Sequence, residues 1–388
     1  MPVQIADRMR LIQPFHVMAL LARARELEAS GRSIIHMEIG EPDFITPRPV
    51  IEAGMAALSA GHTHYTPATG LPALRERIAV FYRDRYGVEV APSRIVVTPG
   101  ASTALQLVLA MLVNPGDRVL MADPGYPCNR NFVYLLNAQP VGIPVGPESA
   151  YQLLPAQVEA YWDANTAALL VASPSNPTGT LLDADTLRAY HAIATARDGA
   201  LIVDEIYHGL TYEGQADTAL SVSGDVVVVN SFSKYFGMTG WRLGWLVVPD
   251  ACVAEIDKLA QNLFLAAPTL AQHAALEAFS RENIAILEAR CEAFRQRRNF
   301  LLPALRELGF TIPVTPNGAF YLYADCSRFT DDSYRFSFDL LEQAGVAITP
   351  GIDFGMHHPA RHVRFAYTTS LENLEAGVSR LADYLRGI

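Results

Sequence analysis

One pattern recurs along the middle of this chain: a short apolar run without polar alternation, a small turn, then apolar positions at helical spacing. Ile95-Val96-Val97-Thr98, Arg118-Val119-Leu120-Met121-Ala122, Ala168-Leu169-Leu170-Val171-Ala172, Leu201-Ile202-Val203, Val226-Val227-Val228-Val229 and Gly244-Trp245-Leu246-Val247-Val248 are such runs. A strand with one wet face alternates, so continuous apolar runs predict strands covered on both faces. Helices are expected between them, at about 101–113 and from the N-cap Asp183 to about 196. The combination predicts an α/β fold, a mostly parallel sheet under helices. Before it, a helical pattern rich in Leu, Ala and Arg covers 8–30 and stops at Gly31, and Ile34–Ile39 reads as a short strand. From about 282 the pattern changes. A long helix to about 308 precedes mixed strands near 319–324, 346–348 and 362–367, with helices near 334–344 and 371–386, the pattern of a smaller α+β domain. The expected division is 1–38 as an N-terminal arm and helix packing with the small domain, 39–281 as the large domain, and 282–388 as the small C-terminal domain.

Composition narrows the function. Half of the 388 residues are hydrophobic and the formal net charge is −10, so the chain can bury a large core and offers no general attraction for nucleic acid or an anionic membrane. No run approaches the roughly 20 apolar residues of a membrane span, and the N-terminus lacks the pattern of a signal peptide. Cys128, Cys252, Cys291 and Cys326 are scattered, which reads as reduced thiols in a cytoplasmic protein. His358 and His362 have a spacing that two metal ligands could use, with His357 beside them. No acidic or thiol partner lies close by in sequence, and no metal site is expected.

Candidate chemistry collects at strand ends, where ligands bind in open parallel sheets. Gly100-Ala101-Ser102 opens a helix after a strand, and free N–H groups at a helix start suit a phosphate. Asn176 lies in Ser173-Pro174-Ser175-Asn176-Pro177-Thr178-Gly179, and Asp204-Glu205-Ile206-Tyr207 ends another strand. The run Ser231-Phe232-Ser233-Lys234-Tyr235-Phe236-Gly237-Met238-Thr239-Gly240-Trp241-Arg242 holds an amine, hydroxyls and a guanidinium. An amine can form a Schiff base with an aldehyde, and hydroxyls with an arginine can hold a phosphate. Asn176, Asp204 and Lys234 are 28 and 30 residues apart, each at the end of a successive strand, so one crevice should collect them. A pyridine ring carrying a phosphate, a phenolic oxygen and an aldehyde needs this set of groups.

The chain resembles the fold-type I, pyridoxal-phosphate-dependent aminotransferases of class I/II, similar to aspartate aminotransferase. The resemblance rests on Gly40-Glu41-Pro42-Asp43-Phe44, Tyr65-Thr66-Pro67 with Gly70-Leu71-Pro72, Thr98-Pro99-Gly100, Asp123-Pro124-Gly125-Tyr126-Pro127, the Asn176 turn, Asp204-Glu205-Ile206-Tyr207, the Lys234 run with Leu243-Gly244, and Arg364 in His362-Val363-Arg364-Phe365-Ala366-Tyr367. It covers nearly the whole chain. It implies pyridoxal 5′-phosphate as cofactor and a ping-pong exchange between an amino acid and a 2-oxo acid. Lys234 would be the Schiff-base lysine and proton carrier. Asp204 would pair with the ring nitrogen, Tyr207 and Asn176 would bond the phenolic oxygen, and Tyr126 would stack on the ring. Gly100, Ala101, Ser102, Ser231, Ser233 and Arg242 would surround the phosphate. Arg364 would grip the substrate α-carboxylate, with Gly40 and Asn176 beside it. The resemblance also implies a homodimer with shared active sites, Tyr65 reaching the phosphate of the neighbouring subunit.

Two other readings stay open at the level of sequence. One is a C–S lyase on the same cofactor, although the stretch after Lys234 is more similar to aminotransferases. The other is a non-catalytic cofactor-binding regulator, although such proteins carry an added basic region. Phe15 and His16 are expected near the substrate entrance, and His62 and His64 near the subunit interface. Aspartate, glutamate, alanine and aromatic amino acids are all candidate donors. A distal carboxylate would need a cation, for which Arg10, Arg48 and Arg130 are candidates.

Overall fold

A computed structural model describes residues 3–387. Twelve strands occur among them: β1 (Ile35–His36), β2 (Ile95–Thr98), β3 (Arg118–Asp123), β4 (Gln139–Pro144), β5 (Thr166–Ala172), β6 (Ala200–Asp204), β7 (Val227–Ser231), β8 (Gly244–Val247), β9 (Tyr321–Asp325), β10 (Val346–Ala347), β11 (Thr349–Pro350) and β12 (His362–Ala366). Seven form one sheet in the order β2-β8-β7-β6-β5-β3-β4. All neighbours in it are parallel except β8, which runs antiparallel to both β2 and β7.

The unbroken apolar runs have a direct cause. Successive strand residues point to opposite faces, and here both faces are buried. Val96, Val119, Leu170, Ile202, Val229 and Leu246 pack in one cluster with the helix Ala101–Leu112. Val97, Leu120, Val171, Val203, Val228 and Trp245 pack in a second, larger one. An α/β fold with a mostly parallel covered sheet is therefore present.

The smaller part is built from the 28-residue helix Arg281–Leu308, the antiparallel sheet β11-β12-β9 and the helix Leu371–Leu385. β1 pairs in parallel with β10, so the N-terminal segment packs against C-terminal elements.

Several local expectations change. The pattern over 8–30 is not one helix: Asp7–Arg10 form a 3-10 turn, and the α-helix is His16–Ala29. Pro14 disfavours helical geometry in the residue before it, and Phe15 is extended as the N-cap. The strand expected over 34–39 is two residues long. Beyond it the backbone serves other groups, with Glu38 O accepting from Arg364 and Ile39 O from Thr368. The stretch near 334–344 is an α-helix, Ser333–Asp339, that continues as a π turn over Leu340–Ala344. Among the described residues, no helix is long and apolar enough to cross a membrane.

Candidate active site

β5, β6 and β7 are adjacent in the sheet, so the chain leaving each one arrives at the same edge. Asp204 closes β6, Lys234 lies three residues past β7, and Asn176 four past β5. Two linked cavities open there. One, of about 340 Å³, is lined by Ala101, Ser102, Tyr126, Asp204, Ser231, Ser233, Lys234 and Arg242. The other, of about 190 Å³, is lined by Phe15, Gly40, Tyr126, Asn176, Tyr207, Lys234, Tyr321 and Arg364. Gly40, Tyr126, Ile206 and Lys234 border both, which makes them two ends of one crevice. Thirteen of the fourteen expected site residues thus line the crevice or, like Gly100, sit against it.

Lys234 and Asp204 are both enclosed. The Lys234 Nζ donates to Gly40 O at 2.7 Å. Burial, with Arg364 adding to it, lowers its amine to about 8. Burial raises the Asp204 carboxyl to about 7. Among the described residues its side chain accepts a single hydrogen bond, from the Ile206 N–H at 3.1 Å. Glu205 serves a different task, since its carboxylate accepts from Thr218 Oγ1 and the Ala219 N–H inside the fold.

At the far end, Arg364 sits 3% exposed. It donates to Asn176 Oδ1 at 2.9 Å, to Glu38 O at 2.6 Å and to Thr349 Oγ1 at 3.2 Å. Its Nε is enclosed without a partner. The guanidinium lies 4.2 Å from the Tyr321 ring centroid and 4.8 Å from that of Phe354. Among the described residues no carboxylate is within ion-pair distance of it. A buried cation without a counter-charge is costly, and an anionic ligand would remove that cost.

The other end is built for a second anion. The helix Ala101–Leu112 points its N-terminus into the cavity, with Gly100 at φ 84°. A Cβ on Gly100 would stand 2.6 Å from an Arg242 guanidinium nitrogen, so glycine is what lets the arginine close over the helix start. Ser231 Oγ accepts from the Ser233 N–H at 3.0 Å, placing both serines on one tight turn. Free helix N–H groups, two hydroxyls and a guanidinium make a phosphate-sized site.

Tyr321 was not anticipated from the sequence. Its hydroxyl pairs with that of Tyr207 at 2.8 Å, its ring supports Arg364, and a Cβ on Gly40 would collide with its hydroxyl. The signal available was weak: an aromatic inside a strand expected over 319–324, far in sequence from the other site residues.

Tyr65 does not join the crevice of its own chain; it is 83% exposed. Phe15 lines the crevice, and the His16 N–H donates to Asp353. His62 stacks on His273 with centroids 4.2 Å apart. His362 stacks on Tyr323 and bonds His358 O through Nδ1, so the histidine spacing serves packing. Among the candidate cations, Arg10 is exposed beside Asp7 and Arg48 pairs with Glu52. Arg130 lines a cavity that adjoins the crevice.

Known proteins resemble this chain over nearly its whole length. The sequence model of the aminotransferase class I and II family matches residues 32–381. The valine–pyruvate aminotransferase of Mycobacterium tuberculosis is 40% identical over 98% of this chain and 99% of its own length. The (5-formylfuran-3-yl)methyl phosphate transaminase of Methanocaldococcus jannaschii is 36% identical over 98% of this chain and 99% of its own. A crystal structure of an aminotransferase from Mycobacterium tuberculosis superposes with a TM-score of 0.95 at 39% identity, covering all of both chains.

Proposed function

This chain belongs to the aminotransferase class I and II family, and from that we propose that its crevice binds pyridoxal 5′-phosphate and moves an amino group between an L-amino acid and a 2-oxo acid. Members of the family generally use this cofactor, and the residues present fit it. The uncountered Arg364 supports the reading most directly, because it asks for an anionic ligand group at a fixed distance from an anion cup and an amine. Asp204 suits a protonated ring nitrogen. Ala101, Ser102, Ser231, Ser233, Arg242 and the backbone at Gly100 suit the phosphate. Lys234 supplies the amine. When bound, the cofactor supplies an electron sink for charge developing at the substrate Cα.

The chain's own groups then have distinct tasks. Arg364 and Asn176 hold the α-carboxylate and so orient the Cα–H bond. Lys234, lowered by burial, is poised near neutral pH to take the Cα proton on Nζ and return it. Asp204 keeps its charge against the ring nitrogen. Tyr207 and Asn176 present hydrogen-bond donors to the phenolic oxygen, and Tyr126 covers the ring face. The 2-oxo acid of the second half-reaction uses the same Arg364 grip. Tyr65, turned outward, fits a homodimer in which each chain completes its partner's phosphate cup. Residues 39–281 would form the cofactor-binding domain, with 1–38 and 282–388 together carrying the substrate grip.

The test is covalent capture. Adding pyridoxal phosphate should create a visible absorbance band, and borohydride should then fix the label on Lys234, located by peptide mass. Lys234→Ala should lose both band and label. A label elsewhere, or none, would overturn the assignment. With the wild-type protein, single amino acids without any 2-oxo acid should bleach that band as they donate their amine; a band that no amino acid changes would count against amine transfer.

A further inference from the structure

Tyr321 touches both parts of the site. It opens β9, and the register of β9 with β12 sets Arg364 opposite Tyr323 and Ala366 opposite Tyr321. Arg364 and Tyr321 are therefore diagonal neighbours on one face of the sheet, within reach of an aromatic side chain. The guanidinium accordingly lies 4.2 Å from the Tyr321 ring centroid, where the ring face favours a cation.

The Tyr321 hydroxyl meets that of Tyr207 at 2.8 Å, and backbone bonds hold the two residues in register. Ala319 donates its N–H to Leu210 O at 2.9 Å, and Tyr212 donates its N–H to Asn317 O at 3.0 Å. Leu210 in turn donates to Tyr207 O at 2.9 Å. The loop after β6 and the approach to β9 are thus tied together, although β6 and β9 belong to different sheets. The two tyrosine rings meet edge to face, with centroids 5.7 Å apart and planes at 80°. Hydrogen counting gives the pair a direction. Burial holds both phenols above their ordinary range, so each keeps its one hydrogen. When Tyr207 gives its hydrogen to a cofactor oxygen, the hydrogen between the two tyrosines must come from Tyr321. A phenol that accepts a hydrogen bond is a stronger donor through its own O–H.

Resting on the aminotransferase reading above, we propose that Tyr321 is a positioning residue that joins the cofactor side of the crevice to the substrate grip. Its hydroxyl donates to Tyr207 and strengthens that phenol as donor to the cofactor's phenolic oxygen. Its ring braces the Arg364 guanidinium for the substrate α-carboxylate. Gly40 belongs to the arrangement: a Cβ there would stand 1.9 Å from the Tyr321 oxygen, so a side chain would displace the hydroxyl from Tyr207.

Substitutions of Tyr321 in the cofactor-loaded protein separate the two tasks, read by absorbance and by binding rather than by turnover. Tyr321→Phe keeps the ring and removes the hydroxyl. A hydrogen bond donated to the phenolic oxygen favours its more negative form. Weakening it should raise the pH midpoint of the cofactor band's change in colour by about 0.5 unit. Butyrate affinity, measured by calorimetry below both midpoints, should stay within about twofold. Tyr321→Leu and Tyr321→Met remove the ring as well and should weaken butyrate about fivefold or more. In a Tyr207→Phe background, Tyr321→Phe should move the midpoint no further, because the effect runs through Tyr207. An unmoved midpoint in Tyr321→Phe, or a full further shift on top of Tyr207→Phe, would overturn the hydroxyl link. Butyrate binding unchanged in the leucine or methionine variant, or weakened equally by Tyr321→Phe, would overturn the brace. Either result beside a wild-type band that amino acids still bleach leaves the aminotransferase reading standing. If the wild-type protein forms no band, the parent reading fails first.

Discussion

Two enclosed groups at the end of the sheet are shifted in opposite directions by the same cause, burial, which favours the neutral form of each. For Asp204 the consequence for stability follows from its sign. Its folded value of about 7 lies above the ordinary 3.8, so the protein without cofactor is most stable, as far as this group is concerned, below pH 4. That contribution fades as pH rises through 7. Asp204→Asn, which cannot ionise, should therefore stabilise the cofactor-free protein at pH 8 by about 2–4 kcal/mol, the equivalent of some three pKa units at most. The gain should vanish near pH 4, and denaturant titration at both values checks it. The same variant should bind pyridoxal phosphate more weakly, which separates a functional carboxylate from a merely awkward one. Lys234, lowered to about 8, should capture the cofactor faster as pH rises, with a midpoint near 8. Asp204 was legible in the sequence because it closes an otherwise apolar run, and Lys234 because it follows another such run among hydroxyls and ahead of an arginine. Tyr321 and the surroundings of Arg130 were not: an aromatic inside a strand reads as core, and the carbonyl that Arg130 meets belongs to Asp353, far away in sequence.

At the scale of elements, the helix His16–Ala29 is the piece whose attachment can be tested most directly. Its N-terminus is held by the Asp353 carboxylate, which satisfies free N–H groups as a capping side chain does. Near its C-terminus Glu28 meets His36 Nε2 at 3.1 Å, and His36 Nδ1 meets the enclosed Glu38 at 2.7 Å. The Glu38 hydrogen bond, helped by Glu28, raises His36 to about 9. A raised histidine contributes stability that is complete below pH 6.5 and is lost as pH rises through 9. His36→Gln should thus destabilise the protein at pH 6 by about 1–2 kcal/mol, a figure already reduced because the ring is only half-buried. The deficit should shrink by pH 9.5; an equal deficit at both pH values would show that packing, not charge, is what His36 supplies. Patterning foretold this helix but extended it back through Pro14, since apolar spacing continues where backbone geometry does not allow a helix. It missed β4 altogether. That strand carries Pro140, Gly142 and Pro144, tolerable because β4 is the edge of the sheet and is not buried on both faces. Strands buried on both faces announce themselves by composition, as β2 does even at the opposite edge, and a half-exposed one such as β4 does not.

For the molecule as a whole, the crevice of a single chain holds every expected group except Tyr65. That residue follows the helix Arg48–Ser59, whose Met55 is 64% and Leu58 57% exposed, and Ile45 just before it is 78% exposed. Apolar side chains left in water over one stretch of chain suit contact with a second copy. The sequence could suggest this through resemblance alone, because no pattern within one chain records which of its surfaces meets another. Light scattering should give twice the 42.4 kDa chain mass. A sharper test uses two inactive variants, Lys234→Ala and Tyr65→Ala, expressed together. If Tyr65 acts across the interface, the mixed dimer has one site carrying both lesions and one carrying neither, so activity should exceed that of either variant alone and approach that of one intact site per mixed dimer. If Tyr65 acts within its own chain, every site in the mixed dimer keeps one lesion and no activity returns. Loss of mass to a single chain in Tyr65→Ala would instead assign the residue to holding the dimer together.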